Sequence, residues 1–291
     1  MAQAGRWHAF LSQGTPVRRA GAHLMVTLLA VVAFACSGNG EPTNTSDIAT
    51  GSPSQDHVEG LYDVGSHRLF MECRGAGSPT VVFLHGVGGG SADWFATLAQ
   101  LPEVPSCIYD RLNAGRSDHD PGRSQAIDSV DDLHALLGAA GVKPPYLLVG
   151  HSFGGMIALM YAATYPDEVD GILLVDATLP FEAELDPPGS RDEIRAELDA
   201  NVEHLDWYDA YEQVGAVLDR LPLVPITYLF GTLQELPAEW EPGAYVDTLH
   251  GFVDGLPRGR LVEEGSGHDM PIEIPQEIAA QTRKMLEAVG A

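Results

Sequence analysis

Positive charge is scarce in this chain. Against 41 Asp and Glu it carries 16 Lys and Arg, for a formal net charge of −25, and its only lysines are Lys143 and Lys284. Nucleic acids and anionic membrane surfaces are bound by basic patches, so neither is expected as a partner, and the acidity reads as a solubility feature. Cysteine is nearly as sparse, with three in 291 residues: Cys36, Cys73 and Cys107. There is no paired Cys-x-x-Cys and no His-Glu-x-x-His, and the 11 histidines are scattered without ligand spacing, so no metal site is expected. A long apolar run is missing too. The predominantly apolar run from Leu24 to Ala35 has 12 residues, short of the roughly 20 that a spanning helix needs.

That short run has another use. It follows Arg6, Arg18 and Arg19 and ends in small residues before Cys36-Ser-Gly-Asn-Gly, an order that resembles a bacterial lipoprotein signal, in which the cysteine becomes the lipidated first residue of the mature chain. Residues 1–36 are therefore expected to be a signal peptide, with export and membrane anchoring through Cys36; ordinary cleavage nearby and an uncleaved anchor are the rival readings. Residues 37–57 are rich in Ser, Thr, Asn, Gly and Pro, the composition of a flexible linker that buries little. Residues 58–291 remain, long enough and, in a chain 45% hydrophobic, apolar enough for one large domain.

Within that domain short β-rich apolar runs alternate with helical spacings, the pattern of a sheet covered by helices. Strands are expected near Leu61–Val64, Arg68–Cys73, Thr80–Leu84, Cys107–Tyr109, Tyr146–Val149, Gly171–Asp176, Ile226–Phe230 and Arg260–Glu263, and helices near Ala92–Leu101, Ile127–Ala140, Gly154–Tyr165 and Gln276–Val289. Residues 178–222 break the rhythm, and the stretch from Arg191 to Leu218 within them has acid-rich helical spacing and carries Trp207, Tyr208 and Tyr211. They read as a small helical cap inserted after the sixth strand, its aromatics either pinning it to the core or facing a substrate.

Gly150-His-Ser-Phe-Gly154 is the most informative stretch. With 32 glycines, a bare Gly-x-Ser-x-Gly arises by chance in about one such chain in five, so its surroundings decide. Tyr146-Leu-Leu-Val precedes it as a buried strand and Gly154-Gly-Met-Ile-Ala-Leu-Met follows as a helix start. In a strand–turn–helix the glycines relieve a crowded bend and the serine projects outward, with the partial positive charge of the helix N-terminus behind it.

From Leu61 onward the sequence resembles an α/β-hydrolase, with Gly150–Gly154 as the nucleophile elbow. Through Cys73-Arg-Gly, Tyr109-Asp-Arg-Leu-Asn-Ala-Gly-Arg-Ser117 and Leu174-Val-Asp-Ala177 it is similar to bacterial esterase-like serine hydrolases. The resemblance implies an α/β fold with a mostly parallel eight-stranded sheet and helices on both faces. It implies a catalytic triad as well. Ser152 would be the nucleophile and His268, in the glycine-rich loop after the last strand, its base. His85 and His151 are expected to shape turns rather than to act as bases, and His151 is also a candidate pocket residue.

The acid is less plainly written. The usual position after the seventh strand lies in Phe230-Gly-Thr-Leu-Gln-Glu235, where residue 234 is glutamine. Asp176, ending the sixth strand, is the preferred acid and Glu235 the alternative. Oxyanion donors are expected from the amides of Phe153 and of Val87 in His85-Gly-Val-Gly-Gly-Gly-Ser91. That loop lacks the Lys-Ser/Thr of a phosphate-binding P-loop. It leads to Trp94, which either lines an acyl pocket or packs under the following helix. The resemblance also places the second strand beside the fourth, and so implies a Cys73–Cys107 disulfide.

The expected function is cleavage of a carboxylic ester or related acyl bond of a small molecule through an acyl-serine intermediate, with no cofactor required. Peptidase, acyltransferase or cofactor-free haloperoxidase chemistry on the same triad stays open, as does a non-catalytic envelope binding lipoprotein. Haloalkane dehalogenases use an aspartate at the elbow, which Ser152 does not match.

Overall fold

In the computed structural model, which describes residues 57–122, 124–186, 189, 191–237 and 240–290, the apolar runs form strands β1 (His57–Asp63), β2 (Arg68–Arg74), β3 (Thr80–Leu84), β4 (Ser106–Asp110), β5 (Tyr146–His151), β6 (Val169–Val175), β7 (Ile226–Gly231) and β8 (Gly259–Glu264). The expected signal peptide, Cys36 and all of the expected linker except His57 lie outside the described residues. His57 already belongs to β1.

The strands make one sheet in the order β1-β2-β4-β3-β5-β6-β7-β8. The pairs β1–β2 and β2–β4 are antiparallel, and every other pair is parallel. β5 at its centre is buried at every residue, as a strand covered on both faces requires. Alternation sorts the central side chains: Val82, Leu84, Leu148 and Leu174 join one apolar cluster, and Val81, Phe83, Leu147 and Leu173 join the other. Each fully buried Leu or Phe contributes about 1.5–3 kcal/mol relative to exposure. Cys73 and Cys107 stand opposite one another on β2 and β4 and are joined by a disulfide with an S–S distance of 2.07 Å.

The helices are α1 (Phe95–Ala99), α2 (Ala126–Ala139), α3 (Phe153–Thr164), α4 (Glu182–Leu185), α5 (Arg191–Leu198), α6 (Trp207–Gly215), α7 (Pro242–Gly255), α8 (Met270–Glu273) and α9 (Pro275–Val289). Val130, Leu133 and Leu137 of α2 pack with α3 against one face, and Leu98 of α1 with Ile278 and Met285 of α9 against the other. One expected helix needs correction and one helix is additional. The helix expected over Ala92–Leu101 is a 3-10 turn, Ser91–Trp94, followed by the short α1. Helix α7 was not anticipated: Gly243, Gly251 and Gly255 weaken its propensity, and tertiary burial of Tyr245, Leu249 and Val253, four residues apart, sustains it.

Helices α4, α5 and α6 and the 3-10 turn Leu218–Arg220 occupy the segment between β6 and β7, so the cap is helical as expected. Trp207, Tyr208 and Tyr211 are buried, and Trp207 packs 5.1 Å from the Phe153 ring. Among the described residues, no helix is long and apolar enough to cross a membrane.

Candidate active site

Strand β5 passes into α3 through Ser152, whose φ of 51° and ψ of −125° lie outside the helical and extended regions. Such backbone costs about 1–3 kcal/mol and persists only where surrounding structure enforces it. The elbow is correspondingly crowded. A Cβ at Gly150 would sit 2.5 Å from the Gly154 carbonyl oxygen, and one at Gly154 would strike the Leu84 and His85 carbonyls. The elbow is also tied to β6, because the Ser152 amide donates to the Val175 carbonyl (3.2 Å) and the Ser152 carbonyl accepts from Thr178 (3.2 Å).

Asp176 follows β6 with φ 41°, so the nucleophile and acid candidates both sit on left-handed backbone. Oδ2 of Asp176 accepts from Nδ1 of His268 at 2.7 Å. Oδ1 accepts from the Gly231 amide at 3.0 Å and from Nε2 of Gln234 at 3.2 Å. Three donors on two oxygens suit an acceptor-only carboxylate. Burial pushes the Asp176 carboxyl above its usual range, while the His268 bond and the Gly231 amide pull it back. Glu235, the alternative acid, is exposed; its neighbour Gln234 is the residue that reaches Asp176. The glutamine that replaces the usual acid is thus a donor to the acid beside it.

His268 lies in the loop between β8 and α8. Its carbonyl accepts from Nε2 of His151 at 2.8 Å, which binds this loop to the elbow. Burial, with His268 beside it, lowers the His151 pKa to about 3, so His151 is a neutral donor that shapes the turn. His85 is neutral as well, held well below its ordinary value by burial and by Arg111; its Nδ1 donates to the Gly86 carbonyl at 2.7 Å.

The loop after β3 runs against the elbow: a Cβ on Gly86 would lie 3.2 Å from the Ser152 Cβ. Among the described residues, neither the Val87 nor the Phe153 amide donates to a protein acceptor, which leaves both for a ligand. Trp94 is fully buried, 5.0 Å from the Phe83 ring in the core, so the packing alternative describes it and the pocket one does not. Among the described residues no cluster of His, Cys, Asp and Glu is suited to a metal ion.

Two further residues frame this loop. Arg111 and Glu203 form a buried ion pair, Nε to Oε2 at 2.8 Å and Nη2 to Oε1 at 3.0 Å, with 3% and 1% of their side chains exposed. Arg111 stands in the motif after β4, but nothing in its spacing states a role. Glu203 is one acid among many in the cap, and only the fold distinguishes it.

A family model described as alpha/beta hydrolase fold matches residues 79–236, more than half of the chain. The chain belongs to the α/β-hydrolase family. Among curated relatives, the lipase LipV of Mycobacterium tuberculosis is 35% identical over 47% of this α/β-hydrolase and 49% of its own length. A putative carbamate hydrolase, RutD of Azorhizobium caulinodans, is 32% identical over 38% of this chain and 42% of its own. The alignments therefore span under half of either relative. Of solved structures, the haloalkane dehalogenase DbeA from Bradyrhizobium elkani superposes with a TM-score of 0.61 at 18% identity, covering 80% of this chain and 99% of that one. A Rhodococcus 2-hydroxy-6-oxo-6-phenylhexa-2,4-dienoate hydrolase gives 0.60 at 18% identity, covering 80% and 99%. At these identities the likeness concerns the fold alone.

Proposed function

We propose that this α/β-hydrolase is a serine hydrolase that cleaves a carboxylic ester or related acyl bond of a small molecule through an acyl-Ser152 intermediate. The observation that carries the reading is the 2.7 Å bond from Nδ1 of His268 to Asp176, in a loop bound to the strained Ser152 elbow. With its Nδ1 proton facing the carboxylate, a neutral His268 ring has Nε2 as a base. Ser152 Oγ then attacks the acyl carbon as Nε2 takes its proton, and Asp176 stabilises the imidazolium that forms. The carbonyl π pair moves to oxygen, where the Phe153 and Val87 amides receive the oxyanion. Collapse breaks the bond to the leaving oxygen, which takes the proton from Nε2. Water, deprotonated by His268, next attacks the acyl carbon; collapse breaks the acyl–Oγ bond, Nε2 returns the proton to Ser152 Oγ, and the acid leaves.

The names of the two relatives, a lipase and a putative carbamate hydrolase, accord with acyl-bond hydrolysis. The net charge of −25 disfavours anionic substrates by repulsion. The test is hydrolysis of p-nitrophenyl esters from acetate to palmitate by the full chain. Turnover by the wild type that falls by about 10⁴-fold in Ser152→Ala is expected. A folded wild type no faster than Ser152→Ala on every ester would overturn the esterase reading and favour a peptide substrate or a binding role.

A further inference from the structure

The loop that carries the Val87 amide is held from both sides by one buried ion pair. Before Val87, the His85 carbonyl accepts from Nη1 of Arg111 at 2.6 Å, and the Gly86 carbonyl from Nη2 at 3.0 Å. After Val87, the Gly88 amide donates to Oε1 of Glu203 at 2.8 Å. The Arg111 amide meets Nε2 of His85 at 3.2 Å. Arg111 directly follows β4 and Glu203 comes from the cap, 92 residues later, and their two-pronged contact joins the two sides into one clamp.

The cap end of the clamp is itself fixed. The Asn201 side chain accepts from the amides of Glu203 and Leu205, both at 3.1 Å. Nδ2 of Asn113 donates to the Glu203 carbonyl at 3.1 Å. Ser124 exchanges backbone bonds with this strip, its amide donating to His204 and its carbonyl accepting from Asp206. Asn113 and His204, which adjoin the pair, are both on left-handed backbone. These bonds hold the six residues 201–206 of the cap in one conformation.

We infer that Glu203 is a positioning residue for hydrolysis: through Arg111 and the Gly88 amide it sets the loop that presents the Val87 N–H, which makes the cap a structural part of the oxyanion site. The inference rests on the serine-hydrolase reading. An oxyanion donor contributes only when already aimed at the developing charge, so a loosened loop lowers kcat more than it raises KM. Removing the Glu203 carboxylate also leaves a buried guanidinium without its counterion, a strongly unfavourable state that falls on the group holding the His85 and Gly86 carbonyls.

The test compares the full-length wild type with Glu203→Ala, Glu203→Gln and Arg195→Ala, the last because Arg195 pairs with Asp206 and Asp209 wholly within the cap. Two readouts are needed: amide hydrogen exchange across residues 85–90, and ester hydrolysis under conditions where every variant is folded. Glu203→Ala should speed exchange at Gly88 and its neighbours at least tenfold and lower kcat by 10- to 100-fold with KM within threefold. Glu203→Gln, which keeps an acceptor for Gly88, should fall between it and the wild type, and Arg195→Ala should change neither readout. Unchanged exchange in Glu203→Ala, raised exchange with wild-type kcat, or an equal kcat loss in Arg195→Ala would each overturn the inference while leaving the hydrolase reading standing. An inert wild type would overturn both.

Discussion

On one flank of the Ser152 elbow, Asp176 follows β6, Gly231 ends β7, Gln234 and His268 follow β7 and β8, and the four meet at the C-terminal ends of these strands. On the other flank, the loop after β3 is held by Arg111, just past the end of β4, and by Glu203 from the cap. The first flank is built by neighbouring parallel strands, so the order of the sheet delivers its residues to one place. The second depends on an inserted segment that the sheet does not position, and it needs a dense set of local bonds around Asn201 to fix one carboxylate. On the proposed mechanism the proton-handling flank therefore draws on the sheet, whereas the oxyanion flank draws on the cap as well.

Breaking the first flank should have the largest effect. Asp176→Asn keeps the shape and removes the charge, so on the proposed mechanism it should reduce kcat by about 10³- to 10⁴-fold, while Glu235→Gln should stay within about threefold of the wild type. Steady-state ester kinetics decide the matter, and a greater loss in Glu235→Gln would transfer the acid role. A milder change sharpens the same flank. Gln234→Leu removes one of three donors to Asp176, a charge-assisted bond of roughly 1.5–3 kcal/mol in full. With the Gly231 amide still in place, a loss of about tenfold in kcat is expected. Wild-type rates in Gln234→Leu would show that Gly231 and His268 hold Asp176 unaided.

The smallest effect concerns stability at the root of the cap. Glu182 is buried, its carboxyl accepting from the Leu179 amide at 3.1 Å, and burial, with Asp176 adding to it, raises its pKa from 4.5 to about 8. Between those values the folded state holds a proton that the unfolded chain has released, so stability falls as pH rises, by up to about 1.4 kcal/mol per pH unit. Glu182→Gln is neutral in both states and lacks that fall. Its Tm relative to the wild type should therefore increase steadily from pH 5 to pH 8, and parallel melting profiles would contradict the assignment.

What could be read from the chain follows the range of the interactions. β5 and the elbow announce themselves because Tyr146-Leu-Leu-Val, the glycines and the apolar helix lie within twenty consecutive residues. Asp176 and His268 could be named because the first ends an apolar strand and the second lies in the glycine-rich loop after the last strand, each at a defined place in the strand order. Gln234 was read only as a missing charge, since its service as a donor depends on Asp176, 58 residues away. Arg111 and Glu203 are further apart, and an acid in an acid-rich insertion carries no local mark of burial. Helix α7 shows the same limit on the scale of an element, its glycine-laden segment held by tertiary burial rather than by propensity.

The central claim is that Ser152 is an activated nucleophile, and the most direct measurement is labelling of the folded full-length protein with a fluorophosphonate probe, followed by mapping of the modified peptide. The account predicts one adduct, on Ser152, that disappears in Ser152→Ala and forms far more slowly in Asp176→Asn. Absence of labelling in folded wild type, or a label on another residue that survives Ser152→Ala, would contradict it.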